Sequence, residues 1–150
     1  MRVLVTGHRG YIGAVLVPLV QEAGHEVVGL DSGLYAGCEV QPLAAVRELT
    51  KDLRDVEARD LEGIDAVIHL AALSNDPLGD LDSALTYAIN HHASVRLAEV
   101  AKQAGVRRFL FASSCSVYGV EGNAMADEES PLSPLTAYAE SKVMVERDLK

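Results

Sequence analysis

Tyr138 and Lys142, in the run YAESK, stand four residues apart and share a face if the segment is helical. An ammonium beside a phenol stabilises the phenolate, which makes a tyrosine usable as a general acid and base. Ser114 follows the apolar run RRFLFA, where its hydroxyl can orient a substrate hydroxyl beside Tyr138. These three are the candidate catalytic residues. A tyrosine and lysine at this spacing also occur as a plain surface pair, and Ser113, Ser114 and Ser116 also suit turn hydrogen bonds. A second group opens the chain. In TGHRGYIG, Gly7, Gly10 and Gly13 follow RVLVT and precede a helical pattern, where backbone N–H groups and the helix dipole can hold a pyrophosphate. The spacing is G-x-x-G-x-x-G, and glycines also serve an ordinary strand-to-helix turn. Asp31, at the end of EVVGL, lies near the offset at which a carboxylate takes the adenosine ribose of a dinucleotide. Such a carboxylate repels a 2′-phosphate and favours NAD over NADP, whereas Arg9 in the glycine loop can bind phosphate and pulls the other way.

These residues need a scaffold of alternating strands and helices, and the apolar pattern supplies one. RVLVT (2–6), EVVGL (26–30), VRELTK (46–51), DAVIHLAA (65–72) and RRFLFASS (107–114) read as strands. A helical spacing runs from Tyr11 to Ala23, with Gly24 as its stop, and a short helical piece is expected around Val56–Arg59. A long helix follows, capped by Asp82 or Ser83 and ended by Gly105, and a polar loop from Gly119 to Pro134 leads to a last helix through Tyr138 and Lys142. Near-continuous apolar strands between helices predict a parallel sheet covered on both faces, the doubly wound, Rossmann-like α/β class. No repeat or interdomain linker interrupts the 150 residues, which are read as one dinucleotide-binding domain.

Composition narrows the function. Apolar residues make up 49% of the chain, which excludes a disordered one. The net charge is -9, and the 13 Lys and Arg form no basic stripe, so a nucleic-acid partner is excluded. The apolar stretch at the N-terminus is too short for a signal segment, and no run reaches membrane-spanning length, so a cytoplasmic protein is expected. Cys38 and Cys115 have no ligand-like spacing, and His91 and His92 are expected on different helix faces, so no metal site is expected.

TGHRGYIG, Asp31, DLRD (52–55), HLAALS (69–74), SSCSVYG (113–119) and YAESK occur in an order and spacing that resemble the extended short-chain dehydrogenase/reductase family of nucleotide-sugar epimerases and dehydratases, over essentially the whole chain. The resemblance implies Ser114, Tyr138 and Lys142 as catalytic residues, with Lys142 also on the nicotinamide ribose. It implies that Tyr11 and Ile12 lie along the pyrophosphate, Asp52 and Leu53 beside the adenine, and Leu70, Ala71 and Ala72 along the dinucleotide. Asn90 matches the family's asparagine at the cofactor and proton-relay position. The implied reaction moves a hydride from a sugar carbon, C4 by expectation, to NAD while Tyr138 takes the hydroxyl proton; return of the hydride to the opposite face gives an epimer. The family's 4,6-dehydratases carry acidic residues where this chain has Cys115 and Ser116, which favours epimerisation.

Two other readings stay open. GHRG and SSC also resemble the NADP-dependent GDP-fucose synthases, although those place a cysteine where this chain has Ser116. Members of the extended family run to about twice this length, and VMVERDLK carries no helix stop, so the chain reads as truncated before a C-terminal substrate domain. A non-catalytic NAD(H)-binding module is therefore the alternative to an enzyme. The resemblance also implies a homodimer through the long helix and the YxxxK helix; Leu81, Leu85, Ile89, Val143 and Met144 suit its apolar contacts and equally suit packing on the sheet.

Overall fold

β-branched and leucine-rich runs turn into strands because their side chains pack on both faces of a sheet. A computed structural model of the chain describes residues 1–38, 42–74, 81–119 and 126–150. Among these, five strands form one parallel sheet: β1 (Arg2–Thr6), β2 (Glu26–Asp31), β3 (Arg47–Thr50), β4 (Ala66–His69) and β5 (Arg108–Phe111), in the order β3-β2-β1-β4-β5. Val5 pairs with Gly29 on one side and with Ile68 on the other. The order reverses at β1, so the chain leaves β1 toward one edge and reaches β4 on the other. In sheets of this kind ligands bind beyond the carboxyl ends of the strands at such a reversal, here those of β1 and β4. The doubly wound class predicted from the alternation is the one observed.

The chain divides into two units, Met1–Ala72 with Arg96–Ala112, and Leu73–Val95 with Ser113–Lys150. The first holds the sheet and α1 (Tyr11–Glu22). Val3, Val5, Val17, Val27 and Ala66 form a buried cluster between α1 and the sheet, flanked by Val20, Val46 and Ile68. Residues that alternate with these along the strands point to the opposite face. Leu4 and Val67 there are fully buried, as is Leu97. In place of the short helix expected around Val56–Arg59, two 3-10 turns occur, Leu53–Asp55 and Ala58–Leu61. Local carboxylates set them: Asp52 accepts from Arg54 N at 2.8 Å, and Asp60 accepts from Glu57 N at 2.8 Å. Such side chain to backbone bonds compete with a continuous helix.

The second unit contains α2 (Ser83–Thr86), capped by Asp82, whose carboxylate accepts from Leu85 N at 2.9 Å. α2 passes through a π-helical turn (Tyr87–His92) into α3 (Ala93–Gln103), whose later part belongs to the first unit. The expected uniform helix is thus interrupted. As expected of residues on different helix faces, His91 is buried and His92 exposed, with their ring centroids 4.8 Å apart. Among the described residues no cluster of His, Cys, Asp or Glu could hold a metal ion. α4 (Ala137–Asp148) carries YAESK and is capped by Thr136, whose Oγ1 accepts from Ala139 N at 3.1 Å. Residues 120–125 of the expected polar loop lie outside the described residues. No helix among the described residues is long and apolar enough to cross a membrane.

Candidate active site

The glycine loop in the first unit turns tightly against the backbone that follows β4. Gly7 has φ +69°, and a Cβ there would sit 2.8 Å from Ala71 N. A Cβ on Gly13 would sit 2.5 Å from the Gly7 carbonyl oxygen, so the helix could not start so close to the turn. Gly7 N donates to Leu30 O at 2.8 Å, and Gly10 N donates to Gly7 O at 3.0 Å. Gly10 is the N-cap of α1, with no side chain accepting from the first turn and no acidic residue in it. A helix start left in this state presents free N–H groups and the positive end of its dipole, which suits an anionic group. Tyr11 and Ile12, at that start, are exposed by 80% and 60%.

Asp31 closes the same loop from β2. Its carboxylate accepts from Gly33 N at 2.9 Å and from Arg9 N at 3.2 Å, so it is oriented by backbone and retains lone pairs for a further donor. The Arg9 guanidinium is turned toward β3, where Nη2 donates to Glu48 at 3.1 Å and Nε lies 2.9 Å from its other oxygen. Asp52 is bound by Arg54 through both backbone and guanidinium, and the Leu53 side chain is buried, which leaves backbone as what Leu53 can present to a ligand. Leu70, Ala71 and Ala72 are half-buried just past β4.

Two residues that sequence reasoning did not single out hold this strand end. Thr6 is fully buried, and its Oγ1 accepts from Leu70 N and Ala71 N, each at 3.2 Å. The same hydroxyl lies 2.6 Å from His69 Nδ1. With two amides already donating to it, the Thr6 hydroxyl has its own hydrogen to give, which assigns Nδ1 as acceptor and the Nε2–H tautomer to His69. A polar residue inside each of two apolar strands was the signal available in the sequence.

The candidate catalytic residues all fall in the second unit. Ser114 caps a 3-10 turn (Cys115–Tyr118); its Oγ accepts from Ser116 N at 3.2 Å and lies 2.9 Å from Ser116 Oγ. Tyr138 is half-buried, and Lys142, one turn on, is buried with Nζ 5.5 Å from the Tyr138 ring centroid. Burial pushes the Lys142 ammonium down to about 8. Asn90 lies in the π turn, 1% exposed, and its carboxamide is paired at both ends with one peptide: Oδ1 accepts from Leu73 N at 2.8 Å and Nδ2 donates to Leu73 O at 3.0 Å. That pairing makes Asn90 the clamp of the segment after β4. Nearby, His91 Nε2 lies 2.7 Å from the Asp148 carboxylate, which Arg147 and His91 together hold down to about 2.

A family model described as the NAD dependent epimerase/dehydratase family matches residues 3–150. The chain belongs to that family. Among its curated relatives, a UDP-glucose 4-epimerase of Streptococcus mutans is 33% identical over 156 residues, covering 100% of this chain and 46% of that protein. A second one, from Mycolicibacterium smegmatis, is 36% identical over 153 residues, 95% of this chain and 48% of that protein. The chain thus spans about half the length of the curated relatives it matches. Among solved structures, a UDP-glucose-4-epimerase from Stenotrophomonas maltophila with bound NAD and formylated UDP-arabinopyranose superposes with a TM-score of 0.87 at 31% identity, over 99% of this chain and 47% of that one. DesIV, a dTDP-glucose 4,6-dehydratase from Streptomyces venezuelae with NAD and TYD bound, gives 0.86 at 32% identity, over 99% and 50%.

Proposed function

We propose that this chain binds NAD at the glycine loop and serves a nucleotide-sugar 4-epimerase. The observation that carries the cofactor assignment is the uncapped start of α1 beside an Asp31 carboxylate already oriented by Arg9 N and Gly33 N. The first-turn N–H groups suit a pyrophosphate, and Asp31 suits the two hydroxyls of an adenosine ribose. Gly7, Gly10, Tyr11, Ile12 and Gly13 line the pyrophosphate side in this reading, with Asp52 and Leu53 toward the adenine and Leu70, Ala71 and Ala72 along the dinucleotide. Lys142 and Tyr138 face the nicotinamide ribose. Asn90 serves this site through Leu73 rather than by direct contact.

NAD held there would supply a reversible hydride acceptor for the sugar carbon. The protein's own work is proton handling and orientation. Ser114 holds the reacting sugar hydroxyl, and Tyr138 takes its proton as the C–H bond is broken. Lys142, an ammonium below pH about 8, stabilises the phenolate form of its neighbour. Epimerisation rather than 4,6-dehydration is supported by Cys115 and Ser116, neither of which offers a carboxylic acid to expel water. The NADP-dependent alternative is weakened by the engagement of Arg9 with Glu48. A cytoplasmic setting agrees with Cys38 and Cys115, both exposed thiols. A homodimer through the helical run from α2 and through α4 belongs to the same proposal; Leu85 is exposed on the first of these, and Leu81 just before it.

The test is to titrate the chain with NAD by calorimetry and then to follow UDP-glucose by NMR and mass spectrometry with the protein extended to the length of its relatives. Saturable NAD binding, weakened about tenfold or more in Asp31→Ala, with a sugar product of unchanged mass, is the expected result. A product lighter by one water would replace the epimerase with a dehydratase. A folded chain that binds no NAD would overturn the cofactor assignment.

A further inference from the structure

Arg9 is a cation inside the loop assigned to the pyrophosphate, yet it is turned away toward the sheet. Its backbone N–H touches the Asp31 carboxylate at 3.2 Å, so its side chain springs from the point where a ribose 2′-substituent would arrive. Two guanidinium nitrogens meet the two oxygens of Glu48 at 3.1 and 2.9 Å. Glu48 stands on β3 opposite Gly29 of β2, and the His8 ring packs on Gly29 with Nε2 3.8 Å from Glu48. Burial works to raise the Glu48 carboxyl, but hydrogen bonding and charge from Arg9, with His8, outweigh it and leave the carboxyl below its usual range. Glu48 is therefore ionised at neutral pH. Both side chains of the pair are roughly three-quarters shielded, which limits screening of the contact.

We infer that Glu48 is a cofactor-specificity residue, which holds the Arg9 guanidinium in a two-point ion pair and so denies it to the 2′-phosphate of NADP. The inference rests on the proposed NAD site and adds a second layer to it. Asp31 repels a 2′-phosphate directly, whereas Glu48 removes the one loop cation positioned to attract it. The pair holds the guanidinium on β3 through Nε and Nη2, and swinging it away to meet a 2′-phosphate leaves a shielded Glu48 charge without its partner. Glu48 touches neither pyrophosphate nor ribose in this reading and acts through Arg9 alone.

The experiment is a calorimetric titration of the chain with NAD and with NADP at one salt concentration, for the wild type, Glu48→Gln, Arg9→Ala and the double variant. Glu48→Gln keeps the size of the side chain and removes the charge that draws Arg9 toward β3, so the NADP-to-NAD ratio of association constants rises about tenfold. In the double variant the gain disappears, because it requires the guanidinium. Arg9→Ala in the wild-type background changes the ratio by less than about threefold, since Arg9 is already engaged; this reading stands even if Glu48→Gln folds poorly. An unchanged ratio in folded Glu48→Gln, a gain that survives loss of Arg9, or a tenfold loss of NADP binding in Arg9→Ala would each overturn the inference while leaving the NAD site intact. A wild-type chain that binds neither dinucleotide would overturn both.

Discussion

Lys142 is 4% exposed, and burial moves its ammonium from 10.5 to about 8. The difference means that the folded state holds the charge at a cost. Each unit of displacement corresponds to about 1.4 kcal/mol, so the ammonium costs on the order of 3 kcal/mol at pH about 7, where both folded and unfolded chains carry it. Between the folded value near 8 and the unfolded value of 10.5 the unfolded chain binds more protons, so stability from this group rises with pH there. By pH about 9.5 the remaining cost is about 1 kcal/mol. Lys142→Met keeps the unbranched stem and removes the charge. It is therefore expected to stabilise the fold by on the order of 3 kcal/mol at pH about 7 and by markedly less at pH about 9.5, while abolishing proton handling at Tyr138. Urea unfolding of both proteins at the two pH values measures this, and the comparison cancels other titrating groups. A variant less stable than wild type at neutral pH, or a difference independent of pH, would refute the reasoning, because either result means the ammonium is compensated where it lies.

Thr6→Val keeps the shape of a fully buried side chain but leaves Ala71 N and His69 Nδ1 without their partner. It is expected to cost about 2–4 kcal/mol in urea unfolding, with Thr6→Ser near wild type; a loss below about 1 kcal/mol would show that neither group depends on the hydroxyl. Asn90→Ala removes both bonds to the Leu73 peptide. Hydrogen exchange at the Leu73 amide should accelerate about tenfold or more, and unaltered protection there would remove Asn90 from its role as clamp.

The parts of the fold with strong local signals were legible in the amino-acid order. The apolar runs of β1 and β2, the glycine turn and α1 agree with their expected bounds to within a residue, because periodicity and punctuation are local properties. The Tyr138 and Lys142 pair was legible for the same reason, since helical spacing alone brings them onto one face. What remained hidden depends on distant partners or on small changes in helical pitch. Nothing near Arg9 indicates that its partner is Glu48, thirty-nine positions away. Likewise, the motif pattern points to Asn90, but its pairing with the Leu73 peptide is visible only in the folded chain.

The start of α1 lacks both a capping side chain and an acidic residue. A helix built this way takes the acceptors for its first turn from outside the polypeptide, from water or from a bound ligand. If that ligand is the dinucleotide, supply of cofactor and retention of fold become one thermodynamic variable. Free NAD at about a hundred times its dissociation constant adds about 2.7 kcal/mol to the folded state, comparable to the cost of the buried Lys142 ammonium. Cells short of the cofactor would then lose the protein to proteolysis as well as its turnover, so abundance itself would report on dinucleotide supply.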